Sequence, residues 1–310
     1  MSQNKFIYHV LDFNCLSCES IQMNNFKGSA LRGAFGNAFK KLVCNMDWDD
    51  CRSCVLSSDC PYAYIFMGIV DKENQLRSAT VNMPVPYVID PPDSINSYIK
   101  KGEQFKFSMT IFGKACEYNG FIISSVEKMG VCGLGKNKGQ FVVQSVNCGL
   151  SNETIFIKDN MCLNKIMEKS LITFESSYVA KKIELEFKTP FKASHNGKLV
   201  SSVDFEVIMR NILRRLQLML FYHYKIDARL KFDKIIESSK KIQTIKDNLK
   251  VYDWVRVSGR TGNKIPMSGY VGKISFAGEL TPFMSLLRAG EILHIGKGCS
   301  LGMGKYSLIM

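Results

Sequence analysis

Two groups of residues in this chain have types and spacings that can do chemistry. Cys44, Cys51, Cys54 and Cys60 are separated by six, two and five residues. Four thiols so close in sequence, two of them a Cys-x-x-Cys step, can converge on one tetrahedral ion, and in a reducing compartment such a group reads as metal-bound before disulfide-bonded. Structural zinc is the expected occupant, an iron–sulfur cluster the second because of Cys60-Pro61, and free thiols the third. Cys15 and Cys18 form another such step without a second pair and read as ordinary cysteines. The other group is the C-terminal run from Glu291 to Tyr306, with glycines at 296, 298, 302 and 304 and cations at Lys297 and Lys305. Glycine lets backbone amides approach a ligand without side-chain obstruction, so this loop suits a phosphate chain, with tight turns as the plainer alternative. A short apolar strand over 291–295 is expected before it and a closing strand after it.

A degraded copy of that loop lies mid-chain, Gly133-Leu134-Gly135-Lys136-Asn137-Lys138-Gly139-Gln140-Phe141, ahead of the apolar Val142-Val143. A repeat spanning half the chain predicts two similar domains, 1–160 with the cysteine-rich insertion at 44–60, and 161–310 carrying the C-terminal loop. With 310 residues and 46% hydrophobic content, both can hold a core. No apolar run is long enough for a bilayer and residues 1–5 lack a signal-peptide pattern, so no membrane partner and a cytoplasmic location are expected. There are 41 basic against 28 acidic residues, a net charge of +13, and nineteen of the basic ones fall between Lys181 and Lys264. A polyanion is the natural partner; a merely solvated basic surface is the alternative.

The elements that must position these groups follow from periodicity. Lys5 to Phe13 alternates as a strand, with His9 on its apolar face. Ser29 reads as the N-cap of a helix to Val43, with Leu31, Ala34, Phe35, Ala38, Phe39 and Leu42 as its core stripe. Its other face carries Arg32, Gly36, Lys40 and Gly33, Asn37, Lys41, small residues between cations that leave room for another backbone. The prolines between Met83 and Pro92 mark an extended connector. Strand Phe105–Phe112 and helix Ala115–Lys128 lead to the first glycine loop, and 150–180 forms a bridge. The second half opens with strand Lys182–Lys188 and a turn at Ser194–Gly197 with His195 at its tip. A helix from Asp204 to Tyr224 buries Phe205, Ile208, Ile212, Leu216, Met219 and Leu220, with Arg210, Arg214 and Arg215 turned elsewhere and His223 near its end. A basic segment to Lys250, strands Val251–Arg260 and Gly269–Phe276, and a short helix Pro282–Leu287 complete the half. The order in each half is that of an α+β, ferredoxin-like (RRM-like) fold, a common RNA platform.

Lys27-Gly28-Ser29-Ala30-Leu31-Arg32-Gly33-Ala34-Phe35-Gly36, Cys60-Pro61-Tyr62, Ile111-Phe112-Gly113, Thr189-Pro190-Phe191, Asp253-Trp254, Gly278-Glu279-Leu280-Thr281-Pro282-Phe283 and the glycine loop itself together resemble the RAMP superfamily, and within it the CRISPR precursor-RNA-processing endoribonucleases. The resemblance implies two tandem ferredoxin-like domains, cleavage of repeat RNA into guide units without a catalytic metal, and a C-terminal glycine loop that contacts RNA near the cut. The chemistry asks for attack by a ribose 2′-hydroxyl on the adjacent phosphate, a proton taken from the 2′-oxygen, one given to the leaving 5′-oxygen, and stabilisation of the phosphoryl oxygens. The resembling family often places a histidine on or beside the first helix; here Asn37 stands instead. Lys27, Arg32 and Lys41 are the candidates for charge stabilisation, and His294 for proton transfer unless it is packed under the loop. Gly296, Lys297, Gly298, Gly302, Gly304, Lys305, Arg210 and Arg214 are the candidate RNA contacts. A second reading is a non-catalytic RAMP subunit that grips guide RNA in an effector complex, with the cysteine knob docking other subunits.

Overall fold

The computed structural model describes residues 6–24, 26–46, 50–68, 83–92, 97–158, 166–170, 179–195, 198–226, 232–257 and 262–310. The chain divides into two units, Met1–Lys169 with Tyr222–Lys225, and Ser170–Phe221 with Ile226–Met310.

The first unit is built on strand β1 (Ile7–Ser17), which alternates so that Leu11, Phe13, Cys15 and Ser17 turn inward. Helix α1 (Gly28–Val43) follows, then β2 (Tyr87–Asp90), β3 (Gln104–Phe112), α2 (Asn119–Cys132), β4 (Phe141–Cys148) and β5 (Thr154–Ile157). The sheet runs β2-β3-β1-β4-β5, every pairing antiparallel. Phe13 lies opposite Phe107 with the rings stacked at 4.9 Å, and Leu31, Phe35, Ala38 and Phe39 of α1 belong to the same core.

The second unit repeats the plan. Strand β6 (Lys182–Phe191) is followed by α3 (Phe205–Tyr224), α4 (Phe232–Ser239), β7 (Gln243–Tyr252), β8 (Gly269–Ala277), α5 (Met284–Leu293) and β9 (Tyr306–Ile309). Its sheet runs β7-β8-β6-β9, antiparallel throughout. Asp204 caps α3, its carboxylate accepting from the Val207 amide at 2.7 Å, and the whole expected apolar stripe of that helix is buried. Within each unit the first strand of the motif is flanked by the third and fourth, and the second lies beyond the third. That is the ferredoxin-like order, twice in tandem.

Several expectations are corrected. Glu291–Leu293, expected as strand, is the last turn of α5, because Leu287, Gly290 and Leu293 continue the helical period expected to stop at Leu287. Ser29 does not cap α1; the cap is Lys27, with no side-chain hydrogen bond, so the helix begins one residue earlier. Leu42 leaves the core stripe and is 41% exposed. The proline-marked connector contains β2, the bridge contains β5, and the basic segment before Lys250 is α4 plus most of β7. Val255–Val257 pairs with Lys264–Pro266 in a small ladder of its own. Residues 258–261, the end of that expected strand and the start of its loop, lie outside the described residues, as do Asn196 and Gly197 of the expected turn. Among the described residues no three histidine, cysteine, aspartate or glutamate side chains form a metal-ligating group, so the expected four-cysteine metal knob is not present as such. Among them also, no helix is long and apolar enough to cross a membrane.

Candidate functional site

In the first unit, the polar face of α1 splits into two rows. Arg32, Gly36 and Lys40 are covered: a Cβ on Gly36 would stand 3.1 Å from the Phe66 ring, the Arg32 guanidinium lies 5.9 Å from that ring's centre, and the Lys40 ammonium 6.0 Å from that of Tyr62. The small residue admits an aromatic side chain from the π-helical turn Ala63–Met67 in place of the other backbone that the sequence suggested. Gly33, Asn37 and Lys41 stay exposed, and nothing lies within 4 Å of where a Gly33 Cβ would be. Lys27 is 2% exposed at the helix start, its carbonyl accepting from the amides of Ala30 and Leu31. Of the three cations expected here, the structure therefore leaves Lys41 open, half-covers Arg32 and buries Lys27.

In the second unit the glycine loop connects α5 to β9 and is pinned along the end of β6. The Gly304 amide donates to Pro190, Lys297 to Lys192, and Thr189 Oγ1 donates to the Gly302 carbonyl at 2.6 Å while accepting from the Lys305 amide at 2.9 Å. Gly302 and Gly304 are buried, whereas Gly296, Lys297, Gly298, Ser300 and Lys305 reach the surface. The glycines thus divide between closing the loop and presenting it. Gly304 has φ +72°, and a Cβ there would overlap the Ile295 carbonyl at 1.8 Å. Beside the exposed rim lies Lys192, whose amine donates to the Pro266 carbonyl at 2.5 Å and is held below the ordinary lysine range by burial and then by Lys297.

His294 is the residue after α5, with φ +54°; it is 2% exposed and its Nδ1 lies 3.3 Å from the Met303 carbonyl. It is packed under the loop. Arg215 reaches the same place, its Nε donating to the Leu293 carbonyl at 2.6 Å, with a terminal nitrogen buried without a hydrogen-bond partner. Of the arginines expected to contact RNA, Arg210 is paired with Glu206 at 2.6 Å one turn back, and Arg214 is exposed.

A family model for the CRISPR-associated endoribonuclease Cas6 matches residues 185–306, and one described as the AF_1859_N N-terminal domain matches residues 6–170, more than half of the chain. The chain belongs to the Cas6 family of CRISPR-associated, repeat-processing endoribonucleases. Its fold is that of solved Cas6 structures. A Cas6 product complex shares 11% identity over 98% of this chain and 99% of that one, with a TM-score of 0.58. The Cas6 of Thermus thermophilus shares 10% over 98% and 99%, with 0.55. A Cas6-RT-Cas1–Cas2 complex shares 10% over 98% of this chain and 29% of that chain, with 0.59. No curated protein matches the chain.

This Cas6 chain has no histidine on the open row of α1. His9 is half-buried beside Asn119 at 2.7 Å and pushed below the usual histidine range by burial, which the Asn119 hydrogen bond and Glu168 oppose. His223, grouped with the first unit, is buried with Nδ1 2.9 Å from the Tyr64 hydroxyl and Nε2 2.7 Å from the Pro84 carbonyl. Both ring nitrogens therefore serve packing. Sequence reasoning missed Thr189, Lys192 and Arg215. Thr189 was visible only as part of a family-like tripeptide, and Lys192 follows it, so the signal was adjacency to Thr189-Pro190-Phe191.

Proposed function

We propose that this Cas6 chain cuts CRISPR repeat RNA without a catalytic metal, by attack of the ribose 2′-oxygen on the adjacent phosphorus. A bond forms from the 2′-oxygen to phosphorus, the bond from phosphorus to the 5′-oxygen breaks, and the 2′-proton is lost while the leaving oxygen gains one. The products are a 2′,3′-cyclic phosphate and a 5′-hydroxyl. The observation that carries this reading is the pairing of Lys192 with Lys297 at the exposed rim of the glycine loop: two like charges close enough to disfavour each other are relieved by an anion, and a phosphate of the RNA is that anion. Arg32 and Lys41 on α1 stabilise phosphoryl charge, and Lys41 is the accessible acid on the open row. Lys27 and His294, both buried, shape the start of α1 and the loop beneath the RNA rather than touching it. Asn37 carries no proton at neutral pH, so the rate rises through neutrality without the inflection near about 6.5 that a histidine would give.

RNA is the partner in this reading. One similar structure is a product complex and another is an assembly with Cas1 and Cas2, and on that likeness we take retention of the cut RNA and contact with other CRISPR proteins in the cytoplasm as part of the proposal. The test is end-labelled repeat RNA with chelator present, beside the same RNA carrying one 2′-deoxy sugar at the cut. Cleavage of the first at one position and none of the second supports the mechanism. Tight binding with no cleavage of either overturns it in favour of a guide-holding subunit, the reading that the exposed Asn37 and buried His294 favour.

A further inference from the structure

The segment that leaves α1 has no core. From Lys40 to Tyr62 none of the described residues is buried, and the apolar side chains at its tip, Val55 and Leu56, are 83% and 53% exposed. Ordering a residue's backbone costs about 1–2 kcal/mol, which a stretch without apolar burial has no means to offset unless something other than packing staples it. Yet the segment is wound into turns, with the amides of Ser53, Ser57 and Asp59 each donating to the carbonyl three residues back. In that winding every third residue, Cys51, Cys54, Ser57 and Cys60, is half-buried, while Arg52, Ser53, Val55, Leu56, Ser58 and Asp59 are exposed. The thiols turn inward and the apolar side chains outward, the reverse of what hydrophobic packing would produce.

Cys44, at the end of α1, is also half-buried, and Cys51 lies within electrostatic reach of Cys44, Cys54 and Cys60. The Cys44 thiol donates to the Met46 carbonyl at 3.2 Å, as a protonated sulfur does when no cation claims it. We propose that Cys44, Cys51, Cys54 and Cys60 bind one zinc ion as four thiolates, and that this ion is the staple of the lobe. The donors are soft and four in number, which suits closed tetrahedral zinc, and the lobe offers no apolar chamber to enclose an iron–sulfur cluster. Binding releases the thiol protons and draws the sulfurs inward, so ion affinity becomes folding free energy of the lobe.

What the lobe positions is on the page as well. Cys60 accepts the Tyr64 amide and starts the turn that lays Tyr62 and Phe66 against α1, under Lys40 and Arg32. Zinc would thereby fix the covered row of the helix from one end. This proposal is independent of the cleavage mechanism, and its test does not read cleavage.

Elemental analysis of the full chain, purified without chelator, should give one zinc per chain. The Cys51→Ser/Cys54→Ser double variant should give none, and Cys18→Ser, at an exposed cysteine outside the group, should keep it. Because the double variant can misfold, the wild-type chain is also stripped and titrated with cobalt. Thiolate-to-cobalt charge-transfer absorbance saturating at one ion, with protection of residues 50–60 from limited proteolysis, supports the site. Iron with sulfide, or zinc-free protein whose four thiols react at once with a thiol reagent while 50–60 is already protected, overturns it.

Discussion

The two glycine loops occupy the same place in the two units, between the second helix of the ferredoxin-like motif and its last strand, and are spelled with the same letters. Their surroundings differ. The first, 133–139, is closed on its own unit: Asn137 donates to the Ser20 carbonyl at 2.6 Å and accepts from the Gln22 amide at 2.9 Å, Lys136 donates its amide to Gln22, and the Glu19 carboxylate accepts from the Gln140 amide at 3.1 Å. Its nearest fixed charge is negative. The second loop is longer, carries the 3-10 turn Cys299–Leu301, and has Lys192 as its neighbour. Glycine and lysine at similar spacings are therefore a loop geometry, and the charge of the strand end beside that geometry decides whether a phosphate is held or repelled.

Substitution of the most constrained glycine in each loop should give the largest effect and the least discrimination. Gly304→Val forces a side chain into the Ile295 carbonyl, and Gly133→Val, at φ +83°, forces one into the Lys138 carbonyl at 2.0 Å. Each should destabilise by on the order of 3 kcal/mol or more, seen as a fall of roughly 10 °C in melting temperature by calorimetry. Only the Gly304 change should also weaken binding of repeat RNA by the folded fraction. Equal loss of binding from both would end the distinction between a closing loop and a presenting one. Next in size, Lys192→Ala with Lys297→Ala should weaken RNA binding by about tenfold per cation, the worth of one charged hydrogen bond. The slope of log affinity against log salt should fall by about 0.7–0.9 for each lost phosphate contact. Lys136→Ala with Lys138→Ala, the matching pair in the first loop, should leave both quantities near wild type although those lysines are exposed. Smaller again, Asn137→Ala strands the Gln22 amide and should cost about 1–2 kcal/mol in urea unfolding with RNA affinity unchanged.

Why the sequence revealed the loops but not their difference is a matter of distance along the chain. The repeat, the two-domain plan, and α1 and α3 were legible because strand alternation and helical stripes are local signals, and Phe13, Phe35, Phe205 and Ile212 lie in the two cores. The last turn of α5 was misread because Ile292-Leu293-His294-Ile295 is a short apolar run, which periodicity alone cannot assign. Lys192 and Lys297 are about a hundred residues apart, and only the ladder that places β9 beside β6 brings their segments together. Likewise Glu19 and Gln140 meet through β1 and β4. The burial of Lys27 and the covering of Gly36 by Phe66 are tertiary facts that a helical wheel of α1 does not contain.

The finest separation of the two loops is by pH. Lys192 is held below the ordinary lysine range by partial burial and by Lys297. A bound phosphate favours the charged amine and restores it, so RNA binding takes up a proton there, and affinity must fall as pH rises through the lowered value. Lys297→Ala removes the neighbouring charge but leaves the burial, so its decline should begin at higher pH than that of wild type, although its affinity at pH 7 is lower. Lys192→Met should lose this part of the pH dependence altogether. Fluorescence anisotropy with RNA carrying a 2′-deoxy sugar at the cut, followed from pH 7 to about 10 across the lysine range, reads the difference. The nucleobases titrate identically in all three experiments and cancel. Superimposable wild-type and Lys297→Ala curves would mean that no phosphate rests between these two lysines, and the second loop would then differ from the first in shape alone.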